Sequence, residues 1–417
     1  MRRAQEFLYD VGIRVYYALI WGASFINPKA KLWIGGRKNW KKQLSNFNLK
    51  PHQTVWVHCA SLGEFEQGRP IIEYIKKHYP AYRILLTFYS PSGYEIRKNY
   101  DLADAVMYLP LDTAANARHL VHSLRPALAV FIKYEFWYHF LHILHNSDVP
   151  TFLVSAHFRP NQVFFKWYGA LHRRMLDFFS ILFVQDDASK KLLASISVQS
   201  VIVAGDTRLD RVLTIKNTIH QISALTPFLA KNKSIVVAGS TWPKDEALLM
   251  QWLHLNTANA QLILVPHEVD DEHITQIIAK CKVKYARFSQ LMGTEQTPDV
   301  IIVDGIGLLS KIYQYGDVAY IGGGFGAGIH NILEPIVFGV PVVFGPKHEK
   351  FLEAQELLAV NAAFCIRSGK ELANTFRDLL KNREFHQKSV NQIEHYIQKK
   401  KGAINMVARH LSKTLKQ

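Results

Sequence analysis

Short apolar runs alternate with stretches of helical composition along nearly the whole chain, and this alternation constrains the fold more than any other feature. Residues 54–59 (TVWVHC), 83–88 (RILLTF), 105–108, 127–132 (ALAVFI), 151–155 (TFLVS), 181–184 and 201–204 (VIVA) form one series. A polar stretch follows, from about 210 to 233. A second series then runs through 234–238 (SIVVA), 261–265 (QLILV), 283–286, 300–303, 318–321 (VAYI), 340–344 (VPVVF) and 363–366. Runs this short, separated by helices of ten or more residues, predict parallel sheets covered by helices on both faces. A chain of 417 residues is too long for one typical core. The expectation is two α/β domains in tandem with a cleft between them, ending in a long basic helical tail from 384 to 417. Ligands of such sheets bind beyond the carboxyl ends of the strands, so the polar residues directly after each strand are the candidates for chemistry.

Charge narrows the partners. The formal net charge is +16, which favours a polyanion: nucleic acid, anionic lipid or a phosphorylated substrate. Between residues 1 and 51, ten Lys and Arg stand against Glu6 and Asp10. They mix with the aromatic and aliphatic run FLYDVGIRVYYALIWGASFI at 7–26. Its uncharged part, 15–26, is only twelve residues, short of the ~20 that span a bilayer. It is read as a helix lying in, or dipping into, a membrane interface, with the basic residues 29–42 facing anionic headgroups. A helix packed on the protein's own core, followed by a solvated basic loop, is the competing reading. Neither series carries a basic stripe interleaved with stacking aromatics, which argues against a nucleic-acid-binding protein. Cys59, Cys281 and Cys365 are far apart and odd in number. They form no disulfide framework and no metal spacing, and read as buried small residues.

The sharpest local signal is YIGGGFGAGIHNILEP at 320–335. Gly322, Gly323, Gly324, Gly326 and Gly328 follow a strand directly, so backbone N–H groups can approach a phosphate. Glu334 and Pro335 read as a helix start whose dipole would favour an anion. His330, Asn331 and Glu334 fall within one turn, and a carboxylate there can accept ribose hydroxyls. A glycine-rich turn with a satisfied helix cap is the alternative. Ser240 and Thr241 sit just after SIVVA, and Pro266 and His267 just after QLILV, on the same sheet edge. Together these make a nucleotide pocket.

In the first series, the loop after strand 54–59 runs through Ser61, Gly63, Glu64 and Glu66. Sugar transfer to an alcohol needs a base, and a placed carboxylate supplies typically ~10²–10⁴-fold. Glu64 is the candidate and Glu66 the competitor. A helix-start charge effect would explain either one without function. Lys133 and Glu135 follow strand 127–132. Arg69, Lys133 and Arg159 could hold a carboxylate or phosphate, against the commoner reading of surface ion pairs. There is no Asp-x-Asp motif and no His/Cys cluster with ligand spacing, so the sequence demands no metal and no cofactor. Glycine amides and a helix terminus can stabilise a leaving group with a single phosphate.

The segments ASLGEFEQGRP (60–70), TFYSPSG (87–93), KYEFW (133–137), AGDTRLD (204–210), AGSTW (238–242), GGGFGAGIHNILEP (322–335), FGP (344–346) and KGAINMVARHL (401–411) resemble, in order and spacing, the 3-deoxy-D-manno-octulosonic acid (Kdo) transferases. The N-terminal segment, with Gly36, Arg37 and Trp40, looks like that family's membrane anchor. The resemblance implies a GT-B fold: α/β, two Rossmann-like domains facing a cleft, with an N-terminal membrane-associated helix. It divides the chain into an anchor at 1–40, an acceptor domain at 41–215, a donor domain at 216–395, and a final helix at 396–417 that packs back on the first domain. The donor would be CMP-Kdo and the acceptor lipid IVA, in lipopolysaccharide synthesis at the cytoplasmic face of the inner membrane. Glu64 would be the general base of an inverting transfer. Ser240, the 266–268 turn, the glycine loop, Asn331 and Glu334 would hold CMP, and Ser61, Gly63, Lys133 and Glu135 would shape the acceptor and Kdo side. The chain departs from the family pattern at Pro266-His267-Glu268, where Pro-Arg-His is usual, at Lys133, and at 156–159. The alternatives are another GT-B nucleotide-sugar transferase or an epimerase.

Overall fold

The computed structural model describes residues 2–217, 221–230, 233–291 and 298–416, with the backbone alone for residues 2–4. Met1 and Gln417, at the ends of the expected anchor and final helix, and 218–220 and 231–232 of the expected polar stretch lie outside the described residues.

The β-branched and aromatic runs form strands because they can bury both faces, and they do so in two units. The first comprises Met1–Asp210 and Lys401–Gln417, the second Arg211–Lys400. In the first unit β1 (Thr54–Cys59), β2 (Arg83–Phe88), β3 (Ala105–Tyr108), β4 (Leu128–Ile132), β5 (Thr151–Ala156), β6 (Ile181–Val184) and β7 (Val201–Val203) form one sheet. Its order is β3-β2-β1-β4-β5-β6-β7 and every pairing is parallel. In the second unit β8 (Ser234–Thr241), β9 (Ala260–Pro266), β10 (Tyr285–Arg287), β11 (Val300–Ile302), β12 (Val318–Ile321), β13 (Val342–Phe344) and β14 (Ala363–Cys365) form another sheet. Its order is β10-β11-β9-β8-β12-β13-β14, again all parallel. The two sheets are Rossmann-like. In each, the strands on one side of the first strand are laid down before the chain returns to build the other side, although β11 inserts between β9 and the edge strand β10. The switch points lie between β1 and β4 and between β8 and β12, where ligands of doubly wound sheets bind.

Four helices precede or follow β1: α1 (Arg2–Ala23), α2 (Pro28–Gly36), α3 (Trp40–Asn46) and α4 (Leu62–His78). Val407, Leu411 and Leu415 of the C-terminal segment join Ile71 and Ile75 of α4 in the core of the first unit. The Asp210 carboxylate fastens that segment by accepting from the backbone N–H of Gly402 (2.6 Å) and Ile404 (2.7 Å). The Thr207 hydroxyl donates to the Gln67 carbonyl. Three sequence segments that look separate, 60–70, 204–210 and 401–411, are thus one structural joint.

The N-terminal helix packs on the first unit, as the second of its two readings expects, but through its polar residues. No described helix is long and apolar enough to cross a membrane. The polar residues of α1 are its docking face. Tyr9 donates to Asp112 at 2.6 Å, Tyr138 to Glu6 at 2.6 Å, and Asp10 bonds His139 at 2.6 Å, while Arg174 reaches Glu6 at 3.1 Å. The apolar residues face outward: Phe7 is 64% exposed, Leu8 67% and Leu19 69%. This inverts the usual soluble amphipathic helix. The basic patch needs a correction. Arg37 is buried, bonded to the carbonyls of Trp33 (3.0 Å) and Tyr89 (2.7 Å), with its guanidinium 3.7 Å from the Trp33 ring centre. Burial pulls its pKa down to about 10. Trp40 is buried too. Neither faces a headgroup, because α2 and α3 cover one edge of the first sheet.

Candidate functional site

In the first unit, the loop expected to carry Glu64 is instead the first turn of α4, which begins at Leu62 after the extended residue Ser61. Gly63 is exposed in that turn. The turn lies directly after β1, and the positive end of the helix dipole falls on the carboxylate. The Ser61 hydroxyl donates to Glu64 Oε2. Lys133 follows β4 with φ +68°, which turns its side chain so that Nζ lies 3.9 Å from Glu64 Oε1. Carboxylate, hydroxyl and ammonium therefore meet at the β1/β4 switch point. Glu66 points elsewhere and pairs with Arg97 at 3.2 Å. Arg69 forms an i,i+4 ion pair with Glu73 at 2.7 Å, the plain reading of that residue. Burial, then the charges of Glu64, Glu135 and Glu66, pushes the Cys59 thiol well up, so Cys59 is a protonated packing residue.

Glu135 belongs to a network that sequence reasoning missed. It accepts from Trp137 Nε1 at 2.7 Å and from His58 Nε2 at 2.9 Å. His58 Nδ1 faces the Thr87 hydroxyl at 2.8 Å, and that hydroxyl accepts from Trp56 Nε1 at 2.8 Å. One neutral tautomer of His58, protonated on Nε2, satisfies every member. His58 is fully buried on β1, so the chain of bonds fixes the β4 end against β1 and β2. Three neighbouring strands supply it, and no local spacing could have revealed it.

In the second unit, Ser240 and Thr241 do not follow β8 but belong to it. Ser240 has φ +52° at a register shift between Gly239 and Thr241. Thr241 is buried and donates to Glu246 at 3.2 Å, while Ser240 stays partly exposed beside the glycine loop. Pro266 ends β9, and His267 is exposed after it. Three rings gather there. His267 stacks on Trp242 (4.7 Å between centres) and on His330 (4.5 Å). Trp242 Nε1 donates to His330 Nε2 at 3.2 Å, so His330 carries its proton on Nδ1. Burial, then the neighbouring His267, lowers the His330 pKa to about 4.

The fold thus prefers neutral His330. Stability from this group is fully present above pH 6.5 and is lost as pH falls toward 4. Thermal unfolding from pH 7 to pH 4.5 is expected to show wild type losing more stability than His330→Gln. Parallel losses would contradict the assignment.

The glycine loop is shaped as much by packing as by any ligand. Gly323 has φ +90°, and a Cβ on Gly324 would lie 2.6 Å from the Gly345 backbone. The N–H of Gly322 bonds the Gly239 carbonyl, and those of Gly326 and Gly328 bond the Gly323 carbonyl. The N–H of Gly323 donates to Asp245 at 2.9 Å. Phosphate contacts through these four amides would have to displace existing partners. Asp245 is the hub: buried, it also accepts from Tyr320 OH (2.7 Å) and Trp242 N (3.0 Å). Asn331 accepts from Leu333 N and donates to Glu334 Oε1, both at 3.1 Å. The expected helix start at Glu334 is one turn, Leu333–Ile336, too short to contribute much dipole. Among the described residues, no group of three or more His, Cys, Asp or Glu could hold a metal ion.

Two Rossmann-like sheets, each with polar side chains gathered at its switch point, define the GT-B type. The UDP-GlcNAc 2-epimerase from Neisseria meningitidis bound to UDP-GlcNAc shares this fold. It has a TM-score of 0.60 and 16% identity, and covers 86% of this chain and 100% of that one. Residues 38–211 match the family described as 3-Deoxy-D-manno-octulosonic-acid transferase (kdotransferase). The 3-deoxy-D-manno-octulosonic acid transferase of Chlamydophila psittaci is 27% identical over 323 residues, 75% of this chain and 74% of that protein. That of Haemophilus influenzae is 25% identical over 378 residues, 86% of each. The chain is a glycosyltransferase, similar over most of its length to the Kdo transferases.

Proposed function

We propose that the protein transfers Kdo from CMP-Kdo to lipid IVA with inversion. The observation that carries this reading is Glu64, in the first turn of α4 at the β1/β4 switch point, with Ser61 and Lys133 on its carboxylate. Glu64 takes the proton of the acceptor hydroxyl. The hydroxyl oxygen forms its bond to the anomeric carbon of Kdo as the bond from that carbon to the phosphate oxygen breaks, and CMP leaves. A single displacement of this kind inverts the anomeric centre. Lys133, Ser61, Gly63 and Glu135 shape the acceptor side. Ser240, the 266–268 turn, Gly324 with the rest of its loop, His330, Asn331 and Glu334 hold the nucleotide. No metal takes part.

Calorimetric titration separates this reading from an epimerase or a transferase of another donor. CMP and CMP-Kdo should bind with EDTA present, and UDP and UDP-GlcNAc should not. Preferential UDP binding, or donor binding that collapses with EDTA, would count against it. We also place the enzyme on the cytoplasmic face of the inner membrane, held there by the outward apolar face of α1 and by anionic lipids.

A further inference from the structure

The segment between β5 and the helix Ala170–Asp177 carries the most exposed aromatic pair outside the N-terminal region. Trp167 is 91% exposed and Tyr168 57%. Their rings meet edge to face, 5.4 Å between centres. Large aromatics displayed this openly mark an interaction surface.

The loop that holds them is built, not slack. Phe164 is buried among Phe136, Phe158 and Phe165. Arg173 Nη1 clamps the turn by donating to the carbonyls of Phe164 (3.0 Å) and Lys166 (2.7 Å). The Gly169 N–H closes it on the Lys166 carbonyl at 3.0 Å. The backbone that carries Trp167 and Tyr168 is thus held in place by these bonds, which lowers the cost of ordering the loop on binding.

We infer that the 162–169 loop is a second membrane contact, an aromatic wedge that enters the headgroup layer of an anionic bilayer together with α1. The helix that follows the loop is bound to α1 through Arg174 and Glu6, 3.1 Å apart. Glu6 immediately precedes Phe7 and Leu8, the first outward apolar residues of α1. That ion pair ties the base of the loop to the start of the outward apolar face of α1. Trp and Tyr place their apolar bodies among acyl chains and their N–H and O–H among headgroups. Lys166 beside them, and the excess of Lys and Arg in the first 51 residues, match an anionic rather than a neutral surface. Two contacts spaced along the unit would fix its tilt on the membrane, which one helix lying in the interface would leave free to roll.

This rests on the membrane reading of α1, and the test separates the two. Full-length protein is sedimented with mixed phosphatidylcholine–phosphatidylglycerol vesicles, alongside the double variant Trp167→Ser, Tyr168→Ser. The variant should partition about tenfold less well, with its unfolding midpoint and its activity on detergent-dispersed acceptor unchanged. Brominated lipids should quench the emission that Trp167→Phe removes. Equal partitioning of variant and wild type, or no quenching of that emission, overturns the wedge while α1 binding stands. Wild type that fails to sediment overturns both. Unchanged sedimentation with lower activity in detergent would assign the loop to the acceptor instead, and also overturns the inference.

Discussion

Glu64→Gln should lower transfer by about 10²–10⁴-fold while CMP-Kdo binds with nearly wild-type affinity. The amide keeps the size of the carboxylate and can still accept from the Ser61 hydroxyl, so the first turn of α4 should hold its shape. It cannot take a proton from the acceptor. The loss should appear in kcat, with the donor dissociation constant changed by less than roughly threefold, because the residues proposed to hold the nucleotide belong to the second unit. A helix-start charge with no catalytic part would behave otherwise: activity would persist, and the loss would be a few tenths of a kcal/mol of stability. Steady-state kinetics and donor titration on one preparation distinguish the outcomes.

Asp245→Ala should be the most destabilising single change at the donor edge. The carboxylate accepts from Trp242 N, Gly323 N and Tyr320 OH, and all three sit where water does not reach Asp245. Truncation strands three donors, two of them buried and Trp242 N partly buried, at a combined cost of about 3–5 kcal/mol. That is a large share of the ~5–15 kcal/mol that holds a typical domain together. Gly323 also loses the bond that fixes the glycine loop, so donor affinity should fall with stability. Asp245→Asn keeps one acceptor oxygen and should be intermediate. Urea unfolding and donor titration check both effects. Wild-type stability in the alanine variant would mean that the loop is held by its tight backbone packing alone.

The strands were readable because each is a short apolar run bounded by polar residues, and that pattern survives without any knowledge of neighbours. Errors came at strand ends. Gly239, Ser240 and Thr241 look like a turn, since small hydroxyl residues favour one. Yet β9 and β12 pair beside them and extend β8 through a bulge. The N-terminal region misled for a related reason. Asp10 looked like a break in an apolar run, but it is a docking residue whose partner His139 is distant in sequence. Arg37 looked like one lysine-equivalent among many until the Trp33 and Tyr89 rings closed around it.

At the site, residues that follow strands directly were legible, because parallel sheets put strand ends together. Glu64 and Lys133 follow β1 and β4, and topology makes them neighbours. His58 was not legible. An inward residue in the middle of TVWVHC reads as core, and only the adjacency of β1, β2 and β4 shows that Thr87 and Glu135 satisfy both ring nitrogens. Asp245 was hidden likewise, since an acid in a first helical turn reads as a capping charge. Trp242 gave a signal within AGSTW, but its stack with His267 and His330 depends on three separate strand-end segments.

The central claim is tested most directly by incubating purified protein with CMP-Kdo and detergent-dispersed lipid IVA and weighing the lipid product by mass spectrometry. A product heavier by one or more Kdo residues, formed by wild type and not by Glu64→Gln, is the predicted result. No mass gain from a folded preparation that binds CMP would contradict Kdo transfer to this acceptor.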